Sequence, residues 1–181
     1  MDDDLDKDAI GKKLAECIAE ARELRAARAA DPEAEDYPLL KQWQADRLAR
    51  TYADLLASER YAPAAEFFLS DLYGPKDFRG RDDELARVVP VMVRVLPARA
   101  LQTLLDAVKM DTLSESLDTD MVLALRAAGR SRDIDMAAYV AAYRACGRRA
   151  DRETQIALIN HIGKTLDRLT RMPLIRMSLR I

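Results

Sequence analysis

The chain has 181 residues, of which 49% are hydrophobic and 33% are charged, so it is long and apolar enough to bury one sizeable core. With six glycines and seven prolines it does not have the composition of a disordered chain. Its longest uncharged apolar run falls far short of the roughly 20 residues that cross a bilayer. The acidic start MDDDLDKD also lacks the features of a secretory signal, which predicts a cytoplasmic protein without a membrane span.

Charge is distributed unevenly along the sequence, although the formal net charge is only −2. Residues 1–120 contain 17 basic and 26 acidic side chains, a net charge of −9, whereas residues 121–181 contain 12 and 5, a net charge of +7. The simplest interpretation is electrostatic complementarity within the chain or between subunits. A surface for an anionic partner is the alternative.

Apolar residues recur at helical spacing in the first half of the chain, and Asp31-Pro32 and Gly74-Pro75 mark two ends. This pattern predicts helices at 5–30, 36–60 and 62–73. The next run, VVPVMVRVLP, alternates like a strand, but no second candidate strand exists to pair with it. We therefore expect a helix with a kink or a new start at Pro90.

The second half predicts four further helical segments. One runs from Pro97 to about 110 with a short continuation to Leu117. The others cover 119–128 with Asp118 as N-cap, 135–146, and 152–170 with Asp151 as N-cap. The last of these is expected to be a central core helix in which Gly163 allows a neighbouring helix to approach closely.

These elements predict an all-α protein, a single domain over residues 1–181 with six to eight helices in a bundle or an orthogonal globin-like packing. Residues 1–60 form an N-terminal helix pair in this interpretation, and 61–170 supply the core helices. Residues 171–181 form an apolar C-terminal segment. Either that segment docks on the core, or the natural chain is longer and is cut here.

Several chemistries are disfavoured by the residue types. His161 is the single histidine, and Cys17 and Cys146 lie far apart in helical patterns, which predicts two reduced, partly buried thiols and neither a metal site nor a cofactor. A basic cluster in the last third could contact nucleic acid, but the pI near 5.6 and the few aromatic residues favour a solvated face or an ion-paired interface. Its members are Arg126, Arg130, Arg132, Arg144, Arg148, Arg149 and Arg152.

The stretch FFLSDLYGPKDFRGRD, residues 67–82, holds more ionisable groups than a turn requires. Gly74 and Pro75 end a helix, and one aspartate caps the next. The remaining side chains form either a buried ion-pair network that fixes how helices cross, which we favour, or the polar wall of a pocket. The candidate ligand-binding residues are Phe68, Asp71, Tyr73, Asp77, Arg81 and Asp82.

This stretch, with RVVPVMVRVLP and LSESLD downstream, resembles a family of uncharacterised bacterial proteins with the signature FFLx[DE]LYGxxDxxxRD. The similarity covers about residues 60–120 and extends over most of the chain. It implies a bacterial helical domain and carries no activity. Members of the family continue past the position of Ile181, which favours the shortened-chain alternative.

Two functions from different classes follow. The first is a non-enzymatic helical interaction or regulatory module that self-associates, with the acidic first part and the basic last part supplying complementary surfaces. The alternative is a protein that binds a small apolar or anionic ligand in a pocket lined by Phe67–Asp82. No catalytic set is visible, and an enzyme using Tyr73, Asp77 and Arg81 as acid, base and anion clamp rests on residue types alone.

Overall fold

The computed structural model describes residues 6–67, 69 and 79–170, except for the side chains of 67, 79–82, 169 and 170. Within that part of the chain every regular element is a helix, which confirms the all-α prediction. The eight helices described match the predicted six to eight. They are α1 (Lys7–Ala29), α2 (Asp36–Thr51), α3 (Ala53–Leu56), α4 (Ala62–Phe67), α5 (Arg79–Val95), α6 (Ala98–Ala127), α7 (Met136–Ala145) and α8 (Arg149–Thr170).

Two predicted boundaries were wrong. The predicted helix 36–60 is interrupted at Tyr52, where the backbone leaves the helical region and α2 ends. The two segments predicted between Pro97 and residue 128 are one 30-residue helix, α6. Asp118 therefore does not cap a helix; its carboxylate accepts a hydrogen bond from the Gln44 side chain at 3.1 Å.

The polar middle of α6 does not break the helix because its hydroxyl groups are satisfied locally. Thr103, Thr112 and Ser114 each donate to the carbonyl oxygen four residues earlier, at 2.8, 3.0 and 2.7 Å. In α5 the helix likewise runs through Pro90 without a new start. At the other end of the chain α8 begins at Arg149, so Asp151 lies in its first turn rather than at its N-cap.

Positive-φ glycines end two helices as the sequence predicts. Gly129 (φ 66°) follows α6 and Gly147 (φ 63°) follows α7, a conformation in which a side chain would be strained. Asp135 caps α7 by accepting a hydrogen bond from the Ala138 amide at 2.7 Å. Both signals were readable in the sequence because they depend on neighbouring residues only.

The described residues form two compact units. The first contains residues 6–26, 79–116 and 148–170, and the second contains 27–67, 69 and 117–147, so that α1 and α6 contribute to both. The expectation of one domain over 1–181 stays a prediction.

The first unit has an apolar core built from α1, α5 and α6. Its buried members are Ile10, Leu14, Ile18, Val89, Ala98, Leu101 and Leu105. Helices α1 and α5 approach so closely that a Cβ atom on Gly11 would lie 2.5 Å from a methyl group of Val93. The sequence predicted a close helix approach at Gly163. That prediction was wrong, because a Cβ atom there would meet no atom within 4 Å.

Helix α8 is not the central core helix that its apolar content suggested. No side chain from 149 to 168 is fully buried, and Ile156, Ile159 and Leu166 are exposed. Hydrogen bonds join this region to α6: Gln155 of α8 donates to the Ser114 hydroxyl at 2.7 Å, and Arg148, just before α8, donates to the Ser116 hydroxyl at 2.8 Å. Polar contacts thus help to attach the last helix to its unit.

The second unit has its own core, built from α2, α6 and α7. Its buried members are Tyr37, Leu40, Met121, Val122, Leu125, Tyr139 and Ala142, with Trp43 and Cys146 packed against them. Trp43 stacks on Tyr139 with ring centroids 4.5 Å apart. Cys17, in the first unit, and Cys146 are both partly buried and neither forms a disulfide, in agreement with the predicted reduced thiols.

Candidate functional site

The six predicted ligand-binding residues fall where the structure gives no side-chain description. Phe68, Asp71, Tyr73 and Asp77 lie outside the described residues, and Arg81 and Asp82 belong to α5 without a described side chain. Both interpretations of residues 67–82, the ion-pair network and the pocket wall, therefore stay predictions.

A dense ion-paired cluster lies in the second unit, between the turn that precedes α2 and the segment that follows α6. Arg126, on the last turn of α6, donates to Asp36 at 2.8 Å and to Asp31 at 2.7 Å, and it also donates to the backbone carbonyl of Glu33. The Asp36 side chain is only 1% exposed and that of Arg126 15%. We call Arg126, Asp31 and Asp36 the Arg126 clasp.

Neighbouring residues extend the Arg126 clasp. Arg132 pairs with Glu35 and lies 3.7 Å from the buried Asp36 carboxylate. Arg130 pairs with Asp135 at 2.8 Å. Of the solvated face and the ion-paired interface that the sequence left open, Arg126, Arg130 and Arg132 are ion-paired within the chain. Sequence reasoning missed their partners, because the acidic run DPEAED at 31–36 was interpreted only as a helix boundary.

The titration of the Arg126 clasp reflects its hydrogen bonds. The hydrogen bond from Arg126, followed by that from the Glu33 amide, lowers the pKa of Asp31. Burial acts to lower the pKa of Arg126, but the hydrogen bonds to Asp31 and Asp36 outweigh it and raise that pKa. Burial and the hydrogen bond to Asp31 raise the pKa of Tyr37, whose hydroxyl donates to Asp31 at 3.2 Å. Asp31 and Arg126 therefore stay charged and the Tyr37 hydroxyl stays protonated. These are the forms whose hydrogen bonds hold the turn in place.

An aromatic platform occupies another part of the second unit. The Tyr139 ring stacks on Trp43 and lies 6.3 Å, between centroids, from the exposed Tyr143. The guanidinium carbon of Arg47 lies 5.1 Å from the centroid of Tyr139 and 5.9 Å from that of Trp43. No described residue accepts a hydrogen bond from Arg47, and its Nε atom is buried without a partner.

The first unit exposes two rows of apolar side chains. On α5 the row is Val88, Val91 and Val95, and on α8 it is Ile156, Ile159 and Leu166. Val91, Val95 and Ile156 are 58%, 65% and 57% exposed. The core of the unit uses different positions of α5, among them Leu85, Val89 and Met92. Helix α5 is therefore apolar on two faces, only one of which is covered by the first unit's core.

Other features of the described residues offer little chemistry. No group of three or more His, Cys, Asp or Glu side chains in that part of the chain could hold a metal ion. His161 is 62% exposed, and its Nε2 lies 3.6 Å from Asp106. A surface cleft of about 560 Å³ at the start of α1 has a mixed lining of charged and apolar side chains, Asp6, Lys7, Asp8, Pro90, Val93 and Arg94. A bilayer span is not available either, since each helix described is too short or too polar to form one.

The described part of the chain is thus an all-α protein whose distinctive features are an ion-paired clasp, an aromatic platform and uncovered apolar helix faces. Residues 23–181 match the family described as "Domain of unknown function (DUF8198)", and the chain belongs to that family. Neither the curated proteins nor the solved structures contain a match to the chain.

Proposed function

We propose that this protein is a non-enzymatic helical interaction module that self-associates through the exposed apolar rows of α5 and α8. The observation that carries the proposal is the uncovered row Val88, Val91 and Val95 on a helix whose opposite face already packs in the core. Its three- and four-residue spacing is that of a seam between paired helices. Apolar side chains grouped along one helix face favour association because burial removes them from water.

The distribution of ion pairs also favours association through the apolar faces over association through the complementary acidic and basic surfaces that the sequence suggested. Arg126 and Arg132, from the basic last part, already pair with Asp31, Asp36 and Glu35 from the acidic first part of the same chain. That complementarity is therefore used at least in part within the chain. A second copy supplies the same apolar rows, so a two-fold contact between like faces needs no further charge matching.

Sedimentation velocity and native mass spectrometry over a range of protein concentrations test the proposal. We expect the wild-type chain to form a dimer or a larger homo-oligomer. Val91→Asp and Ile156→Asp should each weaken association at least about tenfold, since each places a charge in a buried apolar seam. Ala157→Asp, at an exposed neighbouring position of α8, is the matched control and should associate as the wild type does.

A wild-type chain that stays monomeric at high concentration would falsify this proposal. Association that is equally strong in all three variants would place the contact elsewhere. Circular dichroism on each variant separates a lost contact from a lost fold.

The same native mass spectra test the alternative, a small-ligand protein with its site in Phe67–Asp82. A retained mass that is lost on Tyr73→Phe or Arg81→Ala would favour that alternative. We further infer, from composition and the family resemblance alone, that the protein acts in a bacterial cytoplasm.

A further inference from the structure

Arg47 lies on α2, in the second unit. It is partly buried, yet none of the described residues accepts a hydrogen bond from it or pairs with its charge. The buried guanidinium of Arg126, by contrast, contacts two carboxylates. Arg50, Arg60 and Arg144 are exposed, so water can solvate them. A guanidinium that is partly withdrawn from water normally requires an anionic partner.

The surroundings of Arg47 fix its position in advance. Its guanidinium carbon is 5.1 Å from the Tyr139 ring and 5.9 Å from the Trp43 ring, within the range of cation–π attraction. Those two rings are themselves stacked and packed in the core. Nε is the only one of the three guanidinium nitrogens that is both buried and without a partner, so the two Nη nitrogens keep contact with solvent. A ligand can reach those donors without moving the side chain.

We propose that Arg47 and Tyr143, each of which lies beside the Tyr139 ring, form a binding site for an oxyanion, a carboxylate or a phosphate, that is carried by an aromatic or apolar group. The planar guanidinium presents paired donors that match the oxygens of either anion. Tyr143 is 42% exposed beside Tyr139, and Val140 on the same helix is 38% exposed, which supplies an apolar surface for the rest of the ligand. This site lies in the second unit, so it does not depend on the self-association proposed for the first.

Trp43 provides the readout, because it is the one tryptophan of the chain and lies in contact with the proposed site. We would titrate the full chain at constant ionic strength with phenyl phosphate, phenylacetate and inorganic phosphate, and record tryptophan emission and calorimetric heat. A saturable change is expected with at least one of the two aryl anions. Inorganic phosphate, which cannot contact Tyr143 in the same way, should bind more weakly. The tighter of the two aryl probes identifies the anion as phosphate or carboxylate.

Variants separate a specific site from a general effect of charge. Arg47→Lys keeps the positive charge but loses the planar donors, and it should weaken binding about tenfold. Arg47→Ala should abolish the saturable change. Arg144→Ala removes an exposed arginine from α7 and is the matched control, with binding expected to be unchanged. Circular dichroism confirms that each variant is folded.

Three results would overturn the inference. The first is the absence of a saturable change with every probe. The second is binding that Arg47→Ala leaves intact, which would indicate a different site. The third is equal affinity for inorganic phosphate and phenyl phosphate, which would remove Tyr143 from the site. Tyr143→Ala tests that last point directly and should weaken the aryl probes alone.

Discussion

The two units differ in what holds their helices together. In the first, aliphatic side chains of α1, α5 and α6 fill the core, and Gly11 allows α1 and α5 to approach closely. In the second, aromatic rings stack in the core. The Arg126 clasp adds ion pairs between residues about 90 positions apart in the sequence. An aliphatic core tolerates the substitution of one apolar residue by another of similar volume, whereas a buried charge depends on particular partners.

That difference explains why the two units expose different surfaces. Several side chains of the second unit satisfy one another's charges, and its clasp orders the turn before α2. The first unit exposes rows of aliphatic side chains on α5 and α8, whereas the apolar side chains exposed on the second unit include Tyr52, Tyr61 and Tyr143. We therefore expect substitutions in the second unit to act on folding, and those on the exposed rows of the first to act on association.

The largest effect is expected from Arg126→Ala. It leaves the Asp36 carboxylate, 1% exposed, buried without its 2.8 Å partner, and removing one member of a buried pair costs about 3 kcal/mol of unfolding free energy. Urea unfolding followed by tryptophan emission measures it, because Trp43 lies in the same unit. Arg132→Ala is the control: this side chain is 66% exposed, and the loss should stay below about 1 kcal/mol. Similar losses in both variants would show that the buried Arg126–Asp36 pair contributes no more to stability than the exposed Arg132 does.

A smaller effect is expected from Gly11→Ala in the first unit. The new methyl group would lie 2.5 Å from a methyl group of Val93, and overpacking of this kind costs about 1–3 kcal/mol, of which the better helix propensity of alanine offsets up to about 1 kcal/mol. Thermal unfolding measures the net loss. The double variant Gly11→Ala with Val93→Ala should recover the part due to the clash, and additive losses would contradict the close contact.

Gly163→Ala, on α8, should have the opposite effect on stability to Gly11→Ala. Nothing lies within 4 Å of the added Cβ atom, so only helix propensity acts, and we expect a gain of about 0.5–1 kcal/mol. The measurement is thermal unfolding at a protein concentration low enough to keep the chain monomeric. A loss of stability would contradict the open space around Gly163.

Helix identity was readable from the sequence because it depends on local patterns. The apolar spacing of α1, the aspartate that caps α7 and the glycines after α6 and α7 all act over a few residues. The inner face of a helix was harder to predict when apolar residues occupy two faces. In α8 the sequence could not distinguish the partly buried Leu158 and Ile162 from the exposed Ile156 and Ile159.

Long-range pairing could not be predicted at all from one sequence. Arg126 and Asp36 carry no local signal that they meet across 90 positions, and an arginine-rich segment fits a solvated face, an anion site or a clasp equally well. The Arg47 site shows the same limit, since only the structure reveals that this arginine, unlike Arg126, pairs with no carboxylate among the described residues. The predicted site residues in 67–82 await the same kind of geometric test.

The smallest effect that separates the two units is their response to acid. The hydrogen bonds from Arg126 and the Glu33 amide hold the pKa of Asp31 below its unfolded value, so the carboxylate contributes stability that is fully present above the unfolded pKa, about 3.9. That contribution is lost as pH falls through the lowered, folded pKa. Asp31→Asn should reduce stability at neutral pH and flatten its decline below about pH 4. Asp8→Asn, at an exposed position of α1, should leave the profile unchanged.

Urea unfolding at intervals from pH 7 to pH 2.5 measures this decline, and Trp43 again reports on the second unit. Hydrogen exchange of α1 and α5 amides reports on the first unit. Its buried carboxylates, Asp106 and Glu115, lie on α6, so α1 and α5 should lose less protection than α2 as the pH falls. If the wild type and Asp31→Asn decline in parallel, the acid sensitivity arises elsewhere. In that event the clasp orders the turn before α2 through its shape and hydrogen bonds, and its ionisation adds little to folding.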